Sequence, residues 1–157
     1  MKTVIAIGCA AALLAVAGPG GASSAGSTSC TAGVKTVGGA TQRTFCGPAK
    51  ATVKIGGKTL RFSGGKCEKL GGFYTVNIGT ITLPPSKPKS MYFGFTTTKK
   101  RGGRYKVFGN VTVAWETPGT RYALGNGTVK ISSSMKRGSF AGTTILASQK
   151  ATGSWTC

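Results

Sequence analysis

Residues 104–116 read RYKVFGNVTVAWE, and the alternation in this stretch decides the fold class. Its odd positions carry Tyr105, Val107, Gly109, Val111, Val113 and Trp115. Its even positions carry Arg104, Lys106, Phe108, Asn110, Thr112, Ala114 and Glu116. Successive side chains of a strand point to opposite faces, so the stretch reads as one long β-strand whose odd face lies on a core. On a helix the same residues would scatter around the axis.

Segments on either side repeat the pattern. Val53 and Ile55 share one face of a strand over 52–55, and Gly56-Gly57 signals a two-residue hairpin. Leu60 and Phe62 point inward over 58–63, and Gly64-Gly65 leads on to Cys67. Over 73–83, Tyr74, Val76 and Ile78 take one parity while Ile81 and Leu83 take the other. That switch predicts a bulge at Gly79-Thr80. Pro84-Pro85-Ser86-Lys87-Pro88 is an exposed connection, because proline donates no ladder hydrogen bond. A strand over 90–98 follows, with Met91, Phe93 and Phe95 on one face, and then a cationic turn over 99–104.

Beyond Glu116, Thr117-Pro118-Gly119 turns the chain, 120–124 pairs back, and Gly125-Asn126-Gly127 turns it again. Strands over 128–134, 138–146 and 150–157 supply Val129, Ile131, Phe140 and Trp155 to the core. About nine strands at this spacing, with glycine-rich turns, predict an all-β, antiparallel β-sandwich. Residues 30–50 show little periodicity and read as a loop. The sandwich domain is therefore placed at 51–157, behind a flexible segment at 26–50.

Lys2 followed by the small and apolar run 4–17 reads as an export leader over residues 1–25. Ala15-Val16-Ala17 and Ser23-Ser24-Ala25 place cleavage within 17–25. The other reading, an uncleaved anchor, is opposed by Gly18-Pro19-Gly20-Gly21, which ends the run short of the ~20 apolar residues a span needs. Residues 18–29 are a small-residue linker.

Cys9 leaves with the leader, and Cys30, Cys46, Cys67 and Cys157 remain. Four cysteines in an exported chain imply two disulfides, for which three pairings exist. Cys30–Cys46 with Cys67–Cys157 is favoured, because the first closes a local loop and the second pins a terminal strand that would otherwise fray.

Losing Lys2 leaves 20 cationic residues against Glu68 and Glu116, a net charge of +18. Such a chain attracts anionic partners: acidic envelope polymers, a lipid surface or nucleic acid. The cations nevertheless spread over nearly every predicted strand, as they would on a merely solvated surface.

The chain has no histidine and no aspartate. That removes the Ser-His-Asp triad, the Cys-His pair and the imidazole metal ligand. Two carboxylates, one beside a disulfide cysteine and one beside a turn, make poor glycosidase partners. No cofactor motif is present, and calcium or magnesium sites lack their carboxylates. The reading is non-catalytic. The strongest anion-binding candidate is Lys99, Lys100, Arg101, Arg104 and Lys106, with Phe108 facing outward beside them. An apolar-ligand carrier with a pocket between the sheets is the remaining alternative.

Several features come in the order of a known family: Val53-Lys54-Ile55-Gly56-Gly57, Pro84-Pro85, the strand Tyr92–Phe95, Gly103-Arg104-Tyr105-Lys106-Val107-Phe108-Gly109, Ser139-Phe140 and the closing Thr156-Cys157. Over 51–157 the chain resembles the mycobacterial nineteen-kilodalton lipoprotein antigen family of actinobacterial envelope proteins. The resemblance implies an exported, envelope-attached, non-enzymatic protein that meets host or neighbouring-cell surface molecules. It also matches Cys67 and Cys157 to the family's two non-lipid cysteines. The chain departs from the family where the lipid-bearing cysteine should stand, reading Gly20-Gly21-Ala22-Ser23. Cys9 lies too early, and Cys30 follows the polar Ser27-Thr28-Ser29. The departure favours free secretion or loose retention in the envelope. The strong basicity is a second departure.

Overall fold

Residues 104–115 form two strands and not one. In the computed structural model, which describes residues 29–83, 89–115 and 121–157, Gly103–Val107 lies in one sheet and Val111–Trp115 in another. The chain turns the corner at 108–110, where Gly109 has a φ of 71°. Tyr105, Val107, Val111, Val113 and Trp115 keep the inward parity on both sides of the corner. The alternation reported the face correctly and could not report the bend.

The strands in order are β1 (Gly33–Val37), β2 (Ala40–Thr44), β3 (Lys50–Ile55), β4 (Lys58–Ser63), β5 (Gly65–Leu70) and β6 (Phe73–Thr82). They continue as β7 (Met91–Thr97), β8 (Gly103–Val107), β9 (Val111–Trp115), β10 (Arg121–Ile131), β11 (Arg137–Thr144) and β12 (Lys150–Thr156). All the strand pairings are antiparallel, and no helix occurs among the described residues. The all-β, sandwich-like class is as the alternation predicted.

The first sheet runs β1-β2-β6-β7-β9 and ends on the start of β10, with β5 also on β6. The second runs β8-β10-β11-β12-β3-β4. The corner between β8 and β9 and the long β10 join the two sheets.

Among the described residues the strand count is twelve rather than nine, for identifiable reasons. Residues 30–50 are not loop: β1 and β2 form a hairpin, and β2 pairs with β6, so the sheet begins before Ala51. β5 has only Cys67 and Leu70 as apolar residues besides a glycine, three positions apart, and so shows no two-residue period. Gly125-Asn126-Gly127 is not a turn but the middle of β10, with a register break between Leu124 and Asn126. That bulge moves the inward parity from Leu124 to Val129 and Ile131. In β6 the parity does not switch: Thr82 is buried in line with Tyr74, Val76 and Ile78, while Leu83 is exposed. Gly79, at a φ of 89°, marks a close approach to the Met91 carbonyl and the point where the partner of β6 changes from β5 to β2. Met91, predicted inward, is exposed at the start of β7. The leader over 1–25, the connection 84–88, Glu116 and the turn at 117–119 lie outside the described residues.

Aromatic rings hold the two sheets together. Phe93 and Phe95 of β7 meet Trp155 of β12 at centroid distances of 6.0 and 5.1 Å, and Phe93 stacks on Phe140 of β11 at 5.8 Å. Phe62 of β4 and Tyr74 of β6 extend the cluster. Gly138 makes room for Trp155, since a Cβ there would run into the indole ring. Such pairs contribute about 0.5–1.5 kcal/mol each beyond the area they bury.

Two disulfides complete the frame, in the favoured pairing. Cys30–Cys46 closes 16 residues and Cys67–Cys157 closes 90. The larger loop removes more entropy from the unfolded chain, roughly 4–5 kcal/mol against roughly 3. Replacing Cys67 and Cys157 by serine is therefore expected to lower the chemical-denaturation midpoint more than replacing Cys30 and Cys46. An equal or reversed order would show that loop closure is not what these bonds contribute.

Candidate functional site

The outward face of the second sheet is built from one polar parity of six strands. Register sets its rows. Arg104, Lys130, Ser139, Ser154, Thr52 and Arg61 lie side by side across β8, β10, β11, β12, β3 and β4. Lys106, Thr128, Ala141, Thr152, Lys54 and Thr59 form the next row. Arg137, Thr156, Lys50 and Ser63 form a third, and Lys150 stands beside Thr143 beyond them. With strands ~4.8 Å apart, six of them make a surface roughly 24 Å wide.

Cations and hydroxyls fill these three rows, with Ala141 as the one aliphatic side chain. Arg104, Lys106, Lys130, Arg137, Lys50, Lys54, Arg61 and Lys150 are all exposed. They surround a floor of Ser139, Thr152, Ser154, Thr156 and Thr52. A depression of about 370 Å³ lies in that floor, with Lys130, Arg137, Ser139, Ser154 and Thr156 around it and Trp155 beneath. A second, of about 190 Å³, is bordered by Arg104, Thr128, Lys130 and Ser139.

Arg104 and Lys130 stand directly opposite each other. Like charges in that position destabilise a sheet by about 0.2–1 kcal/mol. Among the described residues Glu68 is the one carboxylate side chain, and it pairs with Lys66 on the other sheet. Among the described residues, therefore, no acidic side chain offsets the face.

The first sheet differs. Across its central strands β6, β7 and β9 the outward residues are Thr75, Asn77, Gly79, Tyr92, Gly94, Thr96, Thr112 and Ala114, none of them charged. Tyr92 donates to Asn77 Oδ1 at 2.7 Å, and Arg43 lies over the Phe45 ring at the margin. The two sides of the sandwich thus have different chemistry.

The structure divides the predicted anion-binding residues. Arg104 and Lys106 lie on β8, at the edge of the cationic face. Lys99 and Lys100 lie at the end of the sandwich, where they share a depression with Lys69 and Phe73. Lys99 also sits 5.6 Å from the centre of the Tyr105 ring. The Arg101 carbonyl accepts from the Tyr105 hydroxyl at 2.7 Å. Phe108 is 70% exposed at the corner between β8 and β9. Six face cations were missed: Lys50, Lys54, Arg61, Lys130, Arg137 and Lys150. Their outward parity is legible in each strand, but the strand order that gathers them is not.

Between the sheets lies packed core, floored by the aromatic cluster. Among the described residues no three potential metal ligands come together. No helix among them is long and apolar enough to cross a membrane. No family model, curated protein or solved structure matches this chain.

Beneath the face, the Tyr74 hydroxyl donates to the Met135 carbonyl and lies 3.4 Å from Cys157 Sγ. Burial pushes this phenol above its ordinary value of 10.0, against a smaller opposing effect from Trp155. The indole Nε1 itself is buried and meets no partner with hydrogen-bond geometry among the described residues. A phenol raised on folding stabilises the fold below its unfolded value near pH 10, and that contribution is lost as pH rises through the folded value. Tyr74→Phe leaves the Met135 carbonyl unpaired and should cost about 1–2 kcal/mol near pH 7. The gap between wild type and variant should then narrow above pH 10, read from denaturant midpoints across pH 8–11.5. A gap that stays constant would show that the hydroxyl proton is not what Tyr74 contributes.

Proposed function

We propose that this chain is an exported, non-catalytic protein that acts by surface contact, with the outward face of the second sheet as its contact surface for acidic envelope polymers. One observation carries the reading: eight cations from six strands share one face, interleaved with hydroxyls and unmatched by any described carboxylate side chain on that face. Anionic chains would relieve the repulsion between Arg104 and Lys130. The serine and threonine rows offer hydrogen bonds to sugar or polyol hydroxyls.

Export is supported by the leader-like residues 1–25 and by two disulfides, which are compatible with an exported protein. The absence of histidine and aspartate from the sequence supports a non-catalytic role. The resemblance to the nineteen-kilodalton lipoprotein antigen family points to the envelope and to contact with host or neighbouring-cell surface molecules. Acidic polymers are favoured over single-stranded nucleic acid because the face rows carry no aromatic side chain on which a base could stack.

Poly(glycerol phosphate) is a direct probe. Its affinity should fall at least about tenfold between about 50 and 200 mM salt, because neutralised charges release counterions. Charge reversal at Lys50, Lys130 and Arg137 together should weaken binding by about tenfold or more at fixed low salt. Binding of single-stranded DNA should be weaker than that of the polyol phosphate. No binding at low salt, or binding untouched by the triple reversal, would sink the assignment of this face.

A further inference from the structure

The β5–β6 hairpin ends in Leu70-Gly71-Gly72-Phe73, and all four residues are exposed. Gly71 and Gly72 have φ values of 54° and 83°, the left-handed backbone that a tight two-residue turn of this kind requires. Leu70 and Phe73 face each other across it and are 69% and 47% exposed. Two large apolar side chains are therefore held out in water on a short, well-defined turn.

Cations surround them. Phe73, Lys69, Lys99 and Lys100 border a depression of about 160 Å³. Phe73, Lys99 and Lys106 border an adjoining one of about 210 Å³. Asn110 also lines the second, and it accepts from the Phe108 amide, which places that exposed ring's backbone beside the same patch. The nearest acid in sequence, Glu68, is paired with Lys66.

We propose that this end of the sandwich docks on an anionic lipid bilayer, with Leu70 and Phe73 entering the boundary between headgroups and acyl chains and Lys69, Lys99, Lys100 and Lys106 meeting lipid phosphates. A soluble polyanion would use the lysines alone and leave both apolar side chains in water. A bilayer surface uses both, which is the composition of an interfacial anchor. The cationic face of the second sheet carries none of the large exposed apolar residues. Lys106, at the edge of β8, borders both surfaces, but the exposed apolar tip belongs to this end alone, and this inference does not rest on the polymer-binding reading.

Phe73→Trp places a reporter indole in the tip, and the native Trp115 and Trp155 are both buried. The test uses the chain recovered from an expressing culture with both disulfides formed. It is mixed with vesicles of phosphatidylglycerol and phosphatidylcholine carrying brominated acyl chains. The emission should shift to the blue and be quenched beyond the wild-type background, and neither change should occur with phosphatidylcholine alone. The pair Leu70→Ser and Phe73→Ser should lower the partition coefficient by about tenfold or more while the thermal midpoint stays unchanged. Charge reversal at Lys50, Lys130 and Arg137 should leave the quenching intact, which separates failure of the polymer-binding reading from failure of this one. An unquenched reporter indole in the Phe73→Trp variant on bound vesicles overturns the proposal. So does a wild-type partition of the serine pair, or no binding to anionic vesicles at low salt.

Discussion

The packing of Trp155 between the sheets is the contact on which the rest of the structure depends. The indole comes from the last strand, touches Phe93 and Phe95 of the opposite sheet, and fits because Gly138 has no side chain. Two residues later Cys157 is bonded to Cys67 of the first sheet. The final strand is thus fixed twice, by ring packing and by a covalent tie. Because β12 lies between β11 and β3, that fixation also sets the middle of the second sheet. Thr152, Ser154 and Thr156, in the middle of the hydroxyl floor, are the reverse side of the strand that carries Trp155.

A basic chain of this kind repels itself, and compactness has to be maintained against that repulsion. Two disulfides, a core of close-packed rings and a sheet corner that joins both layers supply the opposing terms. The distribution of charge is informative in its own right. Spreading the cations evenly would minimise repulsion. Instead the central strands of the first sheet face outward without charge, and Arg104 stands opposite Lys130 on the second. That pairing of like charges costs the second sheet local stability.

Within single strands most inward positions were readable, although Leu83 and Met91, expected inward, are exposed. Val53, Ile55, Phe62, Tyr74, Val76, Ile78, Phe93, Phe95, Val129, Ile131, Phe140 and Trp155 are buried where alternation put them. Errors arose where alternation carries no information. The bulge in β10 replaced an expected turn because Gly125-Asn126-Gly127 has the composition of either. The corner at 108–110 left the parity intact, so nothing in the pattern revealed it. The hairpin β1–β2 is mostly exposed and has no apolar period to read. The candidate site fared likewise: the turn 99–104 was visible as a charge run, whereas Lys50, Lys54, Arg61, Lys130, Arg137 and Lys150 were scattered single residues.

By itself, then, the sequence determined the all-β class, the inward face of most strands and the shortage of acid–base groups, while the disulfide pairing was one of three until the fold was in hand. Those properties depend on residue type and on spacing within a few positions of the chain. Tertiary structure decided which strands become neighbours, and with that, which cations stand together. Arg61 and Arg104 meet the same row from opposite margins, separated by four strands drawn from three other parts of the chain. Their association is fixed by the packing of rings between sheets, a long-range outcome that no local period encodes.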